Sequence, residues 1–535
     1  LGTAAGLAVG DALGRGLVDL VTQTISDLYF ALSVREVATP ASVLVKGAVL
    51  GLGATVTAAL VPALEAAGAP PRATLSRAHL EERARVTIRR ATTAGLGLLA
   101  VGALLLLVPS RSVVLGFAAL FAIVIGLALL TPAATTLSMR LLLPLVSRFT
   151  GMVGRMAVRG VVASLSRTAP AMAALVIAVA VSVGLGIMIG SFRLTVERWL
   201  GQTLQADVYV STPSIVASRA DAALDPALVA RLARMPGVAG VSTYRNVEVE
   251  QGSARIRLTA VSLDPRGRET FEFREGDARN VWPAFEAGMA VIVSEPFSYR
   301  NGIGVGSDIT LRTERGSVSF PVVGVYADYG SDQGVVMISR AAYDRLYDDP
   351  ILTSAAFFAE PGVDADALVA AFRSEVAGEE TAVLVRSNRS LREASLEVFD
   401  RTFAITVVLR ILAFIVAFIG VLSALMALQL ERAREMGVLR ATGMTPGQVG
   451  GLVTTQTGLM GLVAGLLSLP VGIVLALVMI HVINRRSFGW TLSMALSPEV
   501  LVQAVALAIG AALLAGLYPA WRLASTPPAV ALREE

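Results

Sequence analysis

The chain alternates between long apolar runs and one long interval of mixed polarity. Eight runs approach the twenty or so residues that a helix needs to cross a bilayer. They lie at about 1–20, 42–62, 92–108, 112–133, 168–191, 403–428, 451–483 and 500–518. Between the fifth and sixth runs, residues 193–402 read like a soluble domain of mixed α/β character. DVYVST (207–212), VSTYRNVEVE (241–250) and ARIRLTAVSL read as strands. DPALVARLARMPGVAG opens with Asp225 at an N-cap and Pro226 at the first helical position, which predicts a helix. SVSFPVVGVYADYG and GVVMISR predict short strands joined by Gly-rich turns. DADALVAAFRSEV predicts a second amphipathic helix, followed by the strand TAVLVRS. From Ser390 to Arg410 the pattern turns helical and enters an apolar run at Phe403, so one helix is expected to join this interval to the membrane.

Composition supports the membrane assignment. The chain is 54% hydrophobic and 16% charged, against about 25% charged residues in an ordinary soluble domain. The expected fold class is a polytopic α-helical membrane protein with an α/β extracytoplasmic domain and about eight transmembrane helices. Charge distribution orients it. The loop 63–91 carries Arg72, Arg77, Arg83, Arg85, Arg89 and Arg90; the loop 134–167 carries Arg140, Arg148, Arg155, Arg159 and Arg167; the loop 429–450 carries Arg432, Arg434 and Arg440. If every run crosses, these loops share one side, and the excess of arginine makes that side cytoplasmic. The interval 193–402 then lies on the extracytoplasmic side. The net charge of +4 is small and reads as topology rather than nucleic-acid binding.

Three scarce residue types exclude chemistry. There are no cysteines and only two histidines, His79 and His481, which removes disulfides, thiolate sites and His-rich metal sites. The one lysine, Lys46 in VLVKGAVL, lacks the upstream glycines and following Ser/Thr of a phosphate-binding loop. The chain therefore carries no P-loop ATPase. Residues 193–402 contain no histidine and no G-x-S-x-G, and their carboxylates are scattered as on a solvated surface. The expectation is a protein that is not an enzyme, with no metal site and no cofactor of its own.

Charges within the apolar runs need partners, because each costs about 2.5–3.5 kcal/mol at mid-bilayer on insertion scales. Asp11, Arg15 and Asp19 fall on one helical face and read as a mutually paired stripe near the outer boundary. Arg410 is expected to snorkel outward, Pro470 to kink its helix, and His481 to sit at the interface.

The stretch LERAREMGVLRATGMTPGQVGGLV (430–453) follows a span directly. Glu431, Arg434 and Glu435 share one helix face. Gly443 sits where a helix ends, and Thr445, Pro446 and Gln448 supply the N-cap, first position and third position of a capping box. A short charged helix is thus expected to stop in the cytoplasm and a new helix to turn back. The residues alone leave two readings open: a solvated hairpin, or a docking helix for a cytoplasmic partner.

This stretch, with the closing LYPAWRLASTPPAVALRE, resembles the C-terminal domain of the FtsX-like permease family, the membrane subunits of MacB/LolCE-type ABC exporters. Glu431, Arg432, Glu435, Gly437, Leu439, Arg440, Ala441 and Gly443 match the family's first signature, with Met436 in place of the usual Ile. Pro519, Ala520, Arg522, Ala524, Pro527, Ala531, Leu532 and Arg533 match its domain-end signature. Residues 151–192 resemble the family's amphipathic cytoplasmic elbow and first span, and 193–402 resemble a MacB-like periplasmic core. The resemblance implies that Glu431, Arg432, Arg434, Glu435, Gly437, Leu439, Arg440 and Gly443 form the helix that docks on a separate cytoplasmic ATPase dimer. ATP and magnesium would be held on that partner. It further implies an exporter working by mechanotransmission on a lipophilic or amphiphilic substrate, in contact with membrane lipid and with a periplasmic partner protein. The alternative within the family is a signalling permease that activates a periplasmic hydrolase or senses antimicrobial peptides.

An internal repeat extends the resemblance. Sliding VPALEAAGAPPRATLSRA (61–78) along by 457 positions aligns Pro62, Ala63, Ala67, Pro70, Pro71 and Leu75 with Pro519, Ala520, Ala524, Pro527, Pro528 and Leu532. Residues 1–90 are therefore expected to be the end of a first permease copy, 91–150 two linking spans, 151–192 the elbow and first span of the second copy, 193–402 its periplasmic core, and 403–535 its permease domain. By this symmetry roughly 300 residues of the first copy are missing from the sequence given.

Overall fold

The computed structural model describes residues 2–12, 14–15, 40–67, 77–212, 223–251, 254–379 and 382–525. Seven long helices dominate: α1 (Ala41–Ala67), α2 (Arg77–Leu107), α3 (Val113–Ala163), α4 (Leu165–Thr203), α5 (Asn388–Ala441), α6 (Pro446–Val478) and α7 (Pro498–Ser525). Six helical stretches among the described residues are long and apolar enough to cross a membrane: Ile88–Leu107, Val113–Ala163, Thr168–Thr203, Asn388–Ala427, Pro446–Phe488 and Pro498–Arg522. The expected runs at 1–20 and 42–62 are not among these six. The run at 42–62 lies within α1, of which Ala41–Thr57 forms a shorter apolar helix. The run at 1–20 is helical over 2–12 and 14–15, where Asp11 pairs with Arg15 at 2.6 Å. Asp19 lies outside the described residues.

The helices outrun the expected spans. α3 continues through the presumed loop to Gly151, where φ 60 and ψ −135 break it. Beyond the break, the elbow buries Gly154, Ala157, Val158 and Val161 and exposes Arg155 and Arg159. That spacing puts apolar and basic residues on opposite faces of one helix. At 1.5 Å per residue, α5 with its 54 residues is about 80 Å long. It is a single helix from the sheet, through the membrane, to Ala441.

α4, α6 and α7 pack closely through small residues, as helices must in lipid, where apolar surface gives no net drive to associate. A Cβ on Gly472 of α6 would stand 2.9 Å from the Ala180 carbonyl and 2.6 Å from Val183 of α4. Arg410 does not snorkel outward. Its Nε donates to Ser182 Oγ on α4 at 2.8 Å, so the charge is answered sideways between neighbouring helices. Pro470 stands inside the continuous helix α6, and exposed His481 lies in the π-helical turn Met479–Asn484 at its end.

The interval between α4 and α5 folds around one mixed ten-stranded sheet of order β10-β1-β9-β2-β3-β8-β5-β7-β4, with β6 paired to β7. The strands are β1 (Val208–Ser211), β2 (Val238–Gln251), β3 (Ala254–Ser262), β4 (Phe273–Glu275), β5 (Val291–Ser294), β6 (Asp308–Thr313), β7 (Gly316–Tyr326), β8 (Val336–Ser339), β9 (Ser354–Ala359) and β10 (Leu384–Ser387). Asp225 caps the helix Pro226–Ala233 as expected, accepting from the Ala227 N–H, and Asp364 does the same for Ala365–Val376. These two helices cover one half of the sheet, where Val208, Leu228, Phe357 and Phe372 form a core. Leu258, Val293, Phe320 and Tyr343 form the core of the other half. The sheet lies at one end of the helix bundle. The elbow, the α5–α6 turn and the far end of α7 lie at the opposite end, which agrees with the sides assigned from arginine placement.

Candidate functional site

Two places on the long helices concentrate polar chemistry, one at each end of α5. At the far end, α5 closes on Thr442, and Gly443 takes φ +110, a conformation that a Cβ would strain. Thr445 then caps α6. Its Oγ1 accepts from the Gln448 N–H at 3.3 Å, and Gln448 Oε1 accepts from the Thr445 N–H at 3.0 Å. The capping box expected from the sequence is therefore formed.

The candidate docking residues separate around the α5 helix. Met436 and Gly437 are buried, and Leu439 packs on the same core. Glu435, Val438 and the turn residues Thr442, Gly443, Thr445 and Gln448 are exposed, with Arg440 half-buried. The backbone of Glu431, Arg432 and Arg434 is helical, but their side chains lie outside the described residues. The charged stretch is no separate short helix, because it continues α5 without a break. In the domain-end signature, Pro519 lies within α7 and Ala520 is buried; Pro527 and Leu532 lie outside the described residues.

At the other end, among the described residues, the sheet is fixed to the bundle at three points. First, α4 and α5 enter the sheet through adjacent antiparallel strands, β1 and β10. Asn388, at the start of α5, donates through Nδ2 to the Leu204 and Ala206 carbonyls at 2.5 and 2.9 Å. Its N–H donates to the Asp207 carbonyl. Below this, Arg193 and Asp400 pair at 3.1 Å, and the Phe192 ring meets those of Phe399 and Phe403 edge-on between the two helices.

Second, the loop after α6 meets the sheet domain at Trp490 and Thr491. Tyr329 donates its hydroxyl to the Thr491 carbonyl at 2.8 Å, and Thr491 Oγ1 donates to Glu295 Oε1 at 2.6 Å. Arg274 donates to the Tyr329 hydroxyl and lies 3.6 Å from Glu295 Oε2. Burial pushes the Tyr329 hydroxyl above the usual phenol range, against the opposing pull of Arg274. Glu295 Oε2 and Trp490 Nε1 are buried without a hydrogen-bond partner. Such atoms are costly in a static interface.

Third, the helix Glu295–Asn301 rests on the loop at Arg111 and on the short helix Arg485–Phe488. Arg300 donates to the Ser487 carbonyl at 3.1 Å, Arg111 donates to the Arg300 carbonyl at 2.9 Å, and Arg111 and Arg485 flank the Tyr299 ring.

The sequence reading placed its candidate residues at the far end; at this junction it anticipated the joining helix but none of the side chains that fasten it. Asn388, Arg300, Tyr329 and Thr491 sit singly in four unrelated segments, so no local pattern marks them. The available signal was the helix running unbroken from strand to span.

Comparison with known proteins matches these two regions. Residues 168–375 match the MacB-like periplasmic core domain and residues 407–528 match the FtsX-like permease C-terminal domain. An uncharacterised ABC transporter permease protein of Mycobacterium tuberculosis H37Rv is 42% identical over the whole of this chain. The chain spans 63% of the length of that relative. Among solved structures, the periplasmic region of MacB from Actinobacillus actinomycetemcomitans aligns with 36% of this chain and 94% of its own, at 10% identity and TM-score 0.28. The extracellular domain of YknZ, a noncanonic ABC-type transporter from Gram-positive bacteria, aligns with 34% of this chain and all of its own, at 11% identity and TM-score 0.25. The chain is thus a multi-pass protein of the bacterial cell membrane that carries a MacB-like periplasmic core domain followed by an FtsX-like permease C-terminal domain.

Proposed function

We propose that this chain is the transmembrane permease part of an ATP-binding cassette exporter that couples ATP hydrolysis on a separate cytoplasmic subunit to movement of its periplasmic domain. The observation that carries the reading is α5, one helix from β10 to the turn at Gly443. A rigid rod about 80 Å long turns a displacement at one end into a displacement at the other. The cytoplasmic ATPase dimer, holding ATP and magnesium, would grip the stretch Glu431–Gly443 from its exposed side. Met436 and Gly437, facing inward, would hand the movement to α6. At the outer end, the Asn388 and Arg193–Asp400 contacts would pass it to the sheet, and the Tyr329–Thr491–Glu295 contact would be the one that slides. The substrate is a lipophilic or amphiphilic molecule taken from the outer leaflet or the periplasm, with no channel through the bundle. The repeat of the domain-end signature supports a chain that supplies both halves of the transmembrane unit.

The test is purification of the full-length protein from its native membrane. It should bring down a cytoplasmic ATPase, and Glu431→Arg or Gly437→Leu should uncouple ATP hydrolysis from binding of the permease. Arg193→Cys with Asp400→Cys offers a cross-link between α4 and α5, read against the full-length protein without these two substitutions. Cross-linking should block transport while the ATPase stays bound. Absence of any ATPase, or unchanged coupling in both hairpin variants, would sink the reading.

A further inference from the structure

The sheet domain contains a cavity that the coupling scheme does not use. It has a volume of about 200 Å³ and lies against the last turns of α4, with Trp199, Tyr209, Tyr244, Phe271, Tyr326 and Asp328 in its wall. It adjoins an outer groove of about 680 Å³ with which it shares Gln202, Gln205, Phe271 and Glu272.

The wall has a definite chemical bias. Aromatic faces carry negative electrostatic potential and attract cations, more strongly where water is excluded. Two acids line the cavity: Glu272, which Arg274 pairs at 2.6 Å, and Asp328. One oxygen of Asp328 accepts from the Gly330 N–H at 2.9 Å, and among the described residues no cationic side chain lies within ion-pair distance of it. Burial raises its carboxyl above the usual range, and the Gly330 bond and the more distant Arg257 only partly oppose this. Asp328 keeps partial solvent contact, but a carboxylate largely enclosed by rings and without a counter-ion is still costly. The groove is no better suited to anions. Its arginine, Arg266, is paired to Asp264 at 2.9 Å and laid over the Phe358 ring at 4.5 Å, while Asp207, Glu269 and Glu272 also line the groove.

We propose that this cavity binds a small organic cation, a quaternary ammonium or an alkylated amine, with its charge on Asp328 and its alkyl groups against the surrounding rings. The ligand would sit between β1 and the end of α4, where it would brace a helix that enters the membrane. The inference rests on the cavity's own chemistry and is independent of any ATPase.

The experiment compares choline with its uncharged isostere 3,3-dimethylbutan-1-ol on the purified full chain in detergent, followed by tryptophan fluorescence. Choline should give a saturable change that Trp199→Phe abolishes, and the neutral alcohol should bind at least tenfold more weakly. Asp328→Asn should weaken choline at least tenfold and leave the alcohol unchanged. Equal binding of the two compounds, a signal that survives Trp199→Phe, or no saturable choline signal would overturn the proposal. Should the Asp328 variant fail to fold, the choline-to-alcohol ratio on the unaltered protein still decides. Failure here would leave the exporter reading untouched, because that reading is tested by ATPase capture.

Discussion

α5 and α6 are consecutive, similarly apolar helices joined by one tight turn, yet they live in different surroundings. α6 is enclosed: Leu452, Val463, Ala464, Leu475 and Ala476 are buried against α4 and α7. α5 buries a narrow stripe of Ala417, Val421 and Leu425, and it presents Val407, Ile411, Ile415 and Ile419 outward at every fourth position. Their glycines show the same contrast. Gly472 of α6 lies against α4, whereas Gly420 of α5 faces open space. The difference separates a helix enclosed by its neighbours from one that packs along one stripe and turns its other face outward. The same helix that is lightly held in the membrane is firmly held at its sheet end by Asn388. On the proposed exporter reading, this end-held helix is the one that would transmit displacement.

The largest expected effect attacks this contrast directly. Gly472→Leu forces side-chain atoms into α4 and should destabilise the protein by about 2–3 kcal/mol, read as a fall in thermal midpoint in detergent. Gly420→Ala should do the reverse, by up to about 1 kcal/mol, because alanine is the better helix former and nothing obstructs it. Equal losses at both positions would mean that α5 is as enclosed as α6. Next, Asn388→Ala leaves the Leu204 and Ala206 carbonyls without their side-chain donor and should cost about 1–3 kcal/mol. Amide exchange should then quicken at β1 and β10 before it does in α6. A uniform rise across the molecule would count against Asn388 as the local anchor.

Gly443→Val strains the turn between the two helices by about 1–2 kcal/mol. Exchange protection at the first turn of α6 reports it, and unchanged protection would show that the turn tolerates a side chain. The smallest effect lies in the sheet domain. Burial pushes Asp349 up, but hydrogen bonds from Arg245 and Tyr343 outweigh it and hold the carboxyl below the usual range. Its contribution is present above the unfolded value of about 3.9 and is lost as pH falls through the lower folded value. Asp349→Asn should flatten the acid limb of the stability profile while leaving the Gly472 and Gly420 contrast intact.

Much of the fold was legible in the sequence because its signals are local. Asp225–Pro226 and Thr445–Pro446–Gln448 satisfy their own helix starts, so capping is readable wherever it occurs. β4, β5, β6 and β9 were not anticipated. VIVS and SAAFFA are short apolar runs that periodicity cannot assign, and they become strands through pairing with β7, β8, β1 and β2. The candidate docking stretch was legible as a signature, but its division into inward Met436 and Gly437 and outward Glu435 and Val438 was not. That depends on where α6 lies beside it.

By itself, then, the sequence determined the long apolar spans, the side on which the arginines gather, the interposed α/β domain and the capped turn at 443–448. Each follows from composition or from contacts within a few residues. Tertiary structure alone decided that α3 runs on to Gly151, that Arg410 turns to Ser182, and that Asn388, Arg300, Tyr329 and Thr491 fasten a sheet to a bundle. It alone closed an aromatic wall around Asp328. These outcomes bring together residues far apart in the chain, and the distances that govern hydrogen bonds, ion pairs and packing exist only once the helices and strands have been set side by side.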